Sequence, residues 1–234
     1  MPSRRFGRDD WIAVLAASIS DSATITRASA AVINDQPVGI WQGAGEGSWW
    51  PEDKPFPNNI TVYPALEDLA ASACAAALII TDTSDPLDAL LADKIAVIYR
   101  PRSLMVGMGC RRGVPVEELD ALLTQTFREN NLSLRSIAGI GTAEIKRGEP
   151  GLELLAERYG VDLSFLQADE LNKVFETNQE AITSKSERAY GLVGVWGVAE
   201  PSALLTAGAE ELLVTRIKTE RATVAVARKN FNPK

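Results

Sequence analysis

The chain has 234 residues, 46% of them apolar and 24% charged, enough apolar material for one large core or two modest ones, and two compact domains are expected. With 31 acidic against 24 basic residues the net charge is -7, so no overall basic field draws in nucleic acid or an anionic membrane, and an anionic ligand has to be held by a local cluster. The chain contains no histidine, which removes Ser-His-Asp and Cys-His nucleophile systems, HExxH zinc sites and imidazole acid/base catalysis together.

Cys74 and Cys110 are the only cysteines and lie far apart, so neither a disulfide framework nor a CxxC zinc site is available, and a reducing cytoplasm is the expected location. Met1 to Arg8 is basic, but Asp9 and Asp10 follow at once and no signal-peptide core appears. The longest apolar stretch, Ala73 to Ile80, is too short to span a bilayer.

In chain order, Asp10 to Ile19 reads as a helix, with Trp11, Ile12, Leu15 and Ile19 at three- and four-residue spacing. A short helix over Ala28 to Ile33 precedes the turn signal Asn34-Asp35-Gln36-Pro37, then a strand over Val38 to Gln42 and a Gly- and Pro-rich loop from Gly43 to Asn59. A strand at Ile60 to Tyr63, a helix at Leu66 to Ala73 and strands at Ala76 to Thr81 and Ile95 to Tyr99 complete the first half. Arg100-Pro101-Arg102 marks the boundary, giving domains 1–102 and 103–234. The second half alternates: strand Leu104 to Val106, helix Val116 to Asn130, strand Leu134 to Ile140, helix Gly151 to Tyr159, strand Leu163 to Leu166, helix Ala168 to Phe175. That alternation predicts βαβ units. An alanine-rich helix over Val198 to Ala207 has Glu200 and Pro201 in its first turn, and a hairpin closes around Lys218 to Arg221. The fold class is α/β: two small α/β domains, the C-terminal one a three-layer α/β/α sandwich with a mostly parallel or mixed sheet.

Chemistry concentrates in the glycine-rich segment Gly107-Met108-Gly109-Cys110-Arg111-Arg112-Gly113, read as a turn between strand and helix. It is not a dinucleotide fingerprint, because the third glycine would fall at Arg112, and no Gly-Lys-Ser/Thr makes it a P-loop. Two arginines at a helix start oppose the helix dipole unless an anion sits between them, which points to carboxylate recognition; the alternative is surface pairing with Glu117 and Glu118. Cys110 is either a thiolate activated by Arg111 and Arg112 or a small packing residue. A second loop, Gly139 to Lys146, opens on the same sheet edge, and its Thr142, Glu144, Lys146 and the following Glu149 supply a cation and carboxylates for anion binding and proton transfer. Trp49-Trp50 either covers a flat ring or packs across a local hairpin.

Three ordered motifs carry a resemblance: Gly107 to Gly113, Lys146-Arg147-Gly148-Glu149-Pro150-Gly151-Leu152, and Val198-Ala199-Glu200-Pro201-Ser202-Ala203-Leu204-Leu205. Together they resemble the C-terminal domain of the cobalt-precorrin-5A hydrolase (CbiG) family, and CobE proteins are similar over the same domain. Residues 1–102, with the Trp-rich loop, Asn58-Asn59 and Ile79-Ile80-Thr81-Asp82, look like that family's central region. The resemblance implies opening of the δ-lactone of cobalt-precorrin-5A with loss of acetaldehyde, or, as in CobE, corrinoid binding and handover without turnover. For that reaction Glu144, Glu149 and Lys146 are the residues expected to be catalytic, and Gly107, Gly109, Cys110, Arg111, Arg112, Gly113, Thr142 and Glu200 those expected to bind substrate. No metal ligand or cofactor of the protein's own is implied, because the cobalt is carried by the tetrapyrrole substrate. The resemblance implies a further N-terminal domain with a Gly-Gly-His type motif, of which Asp9 to Ile19 is the last helix; either that domain is supplied by a separate chain or this protein does less than the full reaction, and that chain or neighbouring pathway methyltransferases are the expected partners.

Overall fold

The computed structural model describes residues 22–231 apart from 48, 49, 51–54, 88, 183, 184, 188, 189, 192 and 193. The helix expected over Asp10 to Ile19, and Trp49, lie outside the described residues. The chain divides into two compact units, 1–102 and 103–234.

The first unit is built on a four-stranded, all-parallel sheet. Helix α1 (Ser22–Ile33) leads into β1 (Val38–Gln42), β2 (Ile60–Val62), α2 (Leu66–Ala71), β3 (Ala76–Ile80) and β4 (Ile95–Tyr99), in the order β2-β1-β3-β4. Strand β3 is buried along its whole length, as a continuous apolar run covered on both faces should be. Its alternate residues serve two cores: Ala76, Leu78 and Ile80 pack with Ala31 and Val38, whereas Ala77 and Ile79 pack with Leu69, Leu87 and Leu91. Trp50 stacks on Phe56 at 4.3 Å between ring centroids, which is local packing.

The second unit holds β5 (Leu104–Cys110), α3 (Val116–Glu129), β6 (Ile137–Ala143), α4 (Pro150–Tyr159), β7 (Asp162–Leu166), α5 (Ala168–Thr177), α6 (Ala199–Ala207), β8 (Val214–Lys218) and β9 (Ala222–Arg228). Its sheet runs β7-β6-β5-β9-β8 and is mixed: β5, β6 and β7 are parallel, while β9 pairs antiparallel with both β5 and β8. Each parallel crossover carries one helix, and α3 and α4 pack on the same face, as right-handed crossovers progressing in one direction require.

Side-chain size separates the two faces. Toward α3 and α4 the central strands present Leu104, Val106, Met108, Val224 and Val226. Toward α6 they present Met105, Ala225 and Ala227, with Gly107 and Gly109 between them. Helix α6 can therefore lie very close to the sheet, and Ala199, Pro201, Ser202, Ala203, Leu204 and Ala207 are buried there, with α5 packed against it. The alternation α/β/α follows from the sequence pattern, but β5 extends to Cys110, four residues beyond the strand expected from its apolar start.

Candidate functional site

The carboxyl ends of β5 and β6 form the edge where an open α/β sheet places ligands. After β5 the chain turns through Arg111, Arg112 and Gly113, the last at φ +69, a left-handed conformation that favours glycine. The turn is held from three directions. The Arg111 amide donates to the Arg221 carbonyl at 2.8 Å. The Arg221 guanidinium donates to the Gly113 carbonyl at 3.1 Å and pairs with Glu118 at 3.0 Å. The Gly113 amide donates to Glu149 Oε1 at 2.5 Å. Glu149, only 8% exposed, thus joins the turn after β5 to the start of α4.

This bracing leaves the arginine pair outward. Arg111 makes a long surface ion pair with Glu220, 3.5 Å, between exposed side chains. Arg112 makes no hydrogen bond or ion pair with the described residues, and Lys146, on the turn after β6, makes no ion pair with them. Glu117 and Glu118, the expected surface partners of the arginines, pair instead with Arg158 at 3.8 Å and with Arg221.

Burial raises the Cys110 thiol above its usual range; the Lys146 ammonium opposes this and the Glu149 carboxylate adds to it. The thiol is therefore neutral at physiological pH, as a half-buried packing residue should be. Glu144 is gripped by Arg147 through both oxygens, at 2.7 and 2.9 Å, and this pairing holds its carboxyl below the ordinary range. Arg147 in turn lies over the Phe165 ring, 4.2 Å from its centroid.

Several expected ligand-facing residues are placed elsewhere. Gly107 and Gly109 sit within β5, not in a turn. A Cβ on Gly107 would run into the Ala199 carbonyl oxygen and lie 2.5 Å from the Ala203 nitrogen; on Gly109 it would lie 2.8 Å from Thr223 Oγ1. Gly107 admits the backbone of α6, and Gly109 leaves room for Thr223 of β9 and for Val198, which precedes that helix. Thr142 is fully buried and its hydroxyl donates to the Met108 carbonyl at 2.7 Å, tying β6 to β5. Glu200, 2% exposed, accepts from the Arg216 amide at 3.1 Å, where the register of β8 on β9 shifts. A carboxylate in the first turn of α6 meets the helix dipole favourably while satisfying a bulged backbone donor, which is a structural duty.

Sequence reading missed Arg221, whose two contacts cross about a hundred residues of chain. It also missed an aromatic pair: Tyr190 and Trp196 stack at 4.1 Å with 17° between ring planes. Among the described residues no group of three or more His, Cys, Asp or Glu side chains is arranged to hold a metal ion, and no helix is long and apolar enough to cross a membrane.

A layered mixed sheet with a braced turn carrying two arginines at its carboxyl edge defines a small α/β domain. Residues 104–227 match the family described as "Cobalamin synthesis G C-terminus". The chain belongs to that family, and its role lies in cobalamin biosynthesis. It is 33% identical over 205 residues to the cobalt-precorrin-5A hydrolase of Priestia megaterium, covering 87% of this chain and 53% of that protein, so it spans about half the length of that relative. It is 30% identical over 125 residues to protein CobE of a Sinorhizobium species, covering 53% of this chain and 79% of CobE. The crystal structure of CobE, from the cobalamin biosynthetic pathway, superposes with a TM-score of 0.50 at 34% identity, covering 55% of this chain and 92% of CobE.

Proposed function

We propose that this chain carries out, or forms part of the enzyme for, the opening of the δ-lactone of cobalt-precorrin-5A with release of acetaldehyde. The observation that carries the ligand class is the pair of outward cations without ion-pair partners, Arg112 and Lys146, brought to one sheet edge of a chain with net charge -7. Such a local patch suits a macrocycle bearing many carboxylates, each charge-assisted hydrogen bond contributing about 1.5–3 kcal/mol. Similarity to a protein named cobalt-precorrin-5A hydrolase supports the reaction class.

Within the patch, Glu149 is the carboxylate left to accept a proton from water, because Glu144 is committed to Arg147 and stays ionised. Lys146 beside it stabilises negative charge developing on the lactone oxygen. Water adds to the lactone carbonyl and the acyl carbon–oxygen bond breaks, leaving a carboxylate that the arginines bind; the freed alkoxide then collapses to acetaldehyde as its carbon–carbon bond to the macrocycle breaks, the electron pair passing to the conjugated ring, which takes up a proton. The cobalt enters with the substrate. Two free cysteines suit a reducing cytoplasm.

The test is anaerobic incubation with cobalt-precorrin-5A, with the chain alone and with the remaining part of the Priestia megaterium hydrolase supplied in trans, measuring acetaldehyde. Release that falls on Glu149→Gln, and whose KM rises on Arg112→Ala, is expected. No release in either mixture rejects hydrolysis. Tight binding without turnover favours the second reading, suggested by the similarity to CobE, of a handover protein that passes the labile intermediate between pathway methyltransferases and other partners.

A further inference from the structure

Between α5 and α6 the chain holds two aromatic rings in order at the protein surface. Trp196 and Tyr190 stack nearly parallel, and Tyr190 remains 46% exposed. The Lys185 ammonium lies 5.5 Å from the Trp196 ring centroid. We propose that the Tyr190–Trp196 stack seats the flat face of a polycarboxylate tetrapyrrole, with Lys185 meeting a carboxylate at the ring's periphery; this rests on the corrinoid-binding reading above and deepens it.

Position is the first support. Val195, 1% exposed, packs with Ala143 and Leu171, and Leu166 and Val198 lie against the same cluster. Ala143 and Leu166 are the last residues of β6 and β7, and Lys146 follows Ala143 by one short turn. The segment that carries Trp196, between Val195 and Val198, therefore runs beside the same sheet edge as the cationic patch. Rigidity is the second. The Trp196 amide donates to Asn172 Oδ1 at 3.1 Å, its carbonyl accepts from the Ser186 amide at 2.7 Å, and Asn172 also donates to the Gly194 carbonyl at 2.8 Å. The backbone that carries the indole is held in place and the indole itself is stacked on Tyr190, which lowers the ordering entropy to be lost on binding.

Composition is the third support. A stack serving only the core would be covered, whereas this one leaves its outer ring in water, and Ile145, 62% exposed, adds apolar surface beside Lys146. Exposed apolar faces alternating with cations match a ligand whose ring is flat and apolar and whose rim is anionic. A small carboxylate has no use for the rings; a macrocycle has.

The experiment titrates the full chain with cobyrinic acid, a cobalt corrinoid with free side-chain carboxylates, and separately with citrate, which carries carboxylates but no flat ring. Binding is read by equilibrium dialysis and by the corrinoid absorbance shift, with circular dichroism confirming that each variant is folded. The wild type is expected to bind cobyrinic acid; Tyr190→Ala and Trp196→Leu each weaken it about 10-fold, in line with loss of one stacked ring. Tyr190→Phe, which keeps the ring, retains binding, and neither ring variant alters citrate binding, which Arg112→Ala weakens. Cobyrinic acid binding unchanged in Tyr190→Ala and Trp196→Leu while Arg112→Ala weakens it overturns the platform and leaves the corrinoid reading standing. No binding by the wild type overturns both.

Discussion

Replacing Gly107 by alanine separates a structural glycine from a ligand-binding one. The three atoms nearest the new Cβ would all be backbone: the Ala199 carbonyl group, with its carbon at 2.8 Å, and the Ala203 nitrogen at 2.5 Å. Non-bonded heavy atoms settle at about 3.5–4.0 Å, so α6 would have to retreat by well over 1 Å from a sheet against which seven of its nine residues are buried. Overpacking of a close-packed interior costs about 1–3 kcal/mol, and the upper part of that range applies because no flexible side chain is available to move aside. Alanine's lower unfolded-state entropy returns about 0.5–1 kcal/mol, leaving a net loss of about 2 kcal/mol. For a unit of this size that is a fall in Tm of roughly 6–8 °C. Urea and thermal unfolding followed by circular dichroism, with the two units fitted as separate transitions, would measure it. The control is Gly113→Ala, where no atom lies within 4 Å and only the left-handed backbone opposes the change, at about 1 kcal/mol. A Gly107→Ala protein with wild-type stability but weakened corrinoid binding would refute the reasoning, since the missing side chain would then serve a ligand.

Cys110 is expected to react with iodoacetamide slowly at neutral pH, with a rate that climbs only above the ordinary thiol range, because burial raises its pKa. Lys146→Met should slow labelling further and Glu149→Gln should speed it, as followed by mass spectrometry; rapid labelling at pH 7 would show an activated thiolate instead. Tyr159 is pushed up to about 12, first by burial and then by its hydrogen bond to Asp120, 2.6 Å. A raised folded-state value means the phenol's contribution is fully present below its ordinary pKa of about 10 and is lost as pH rises toward 12. Asp120→Asn should lower the ionisation midpoint in an ultraviolet titration and narrow that alkaline window; an unmoved midpoint would assign the whole effect to burial.

The layered α/β architecture was legible because its signals are local. The three- and four-residue spacing of Val116, Leu119, Leu123 and Phe127 marks one face of α3, and the βα alternation from Leu104 to Leu166 predicts the parallel core. The closing hairpin was readable from its two apolar runs, although its place beside β5, which makes the sheet mixed, was not. Gly107 and Gly109 misled because glycine in a strand and glycine in a turn look alike until the opposing element is known, and that element, α6, lies about ninety residues downstream. Glu200 gave no sign of burial, since its partner is a backbone amide displaced by a bulge. Arg112 and Lys146 emerged from loop position alone. Arg221 did not, because a guanidinium acting across the sheet leaves no periodic trace.

The bracing of the Arg111–Gly113 turn has a temporal consequence. Strand β9 lies between β5 and β8, so during synthesis β5 presents an unpaired edge until residues 222–228 have emerged, and the guanidinium that holds the Gly113 carbonyl arrives just ahead of them. A nascent chain holding every element through α6 already possesses Arg111, Arg112 and Lys146 without the support that aims the turn. The turn after β5 is thereby held in place only once the β8–β9 hairpin has formed.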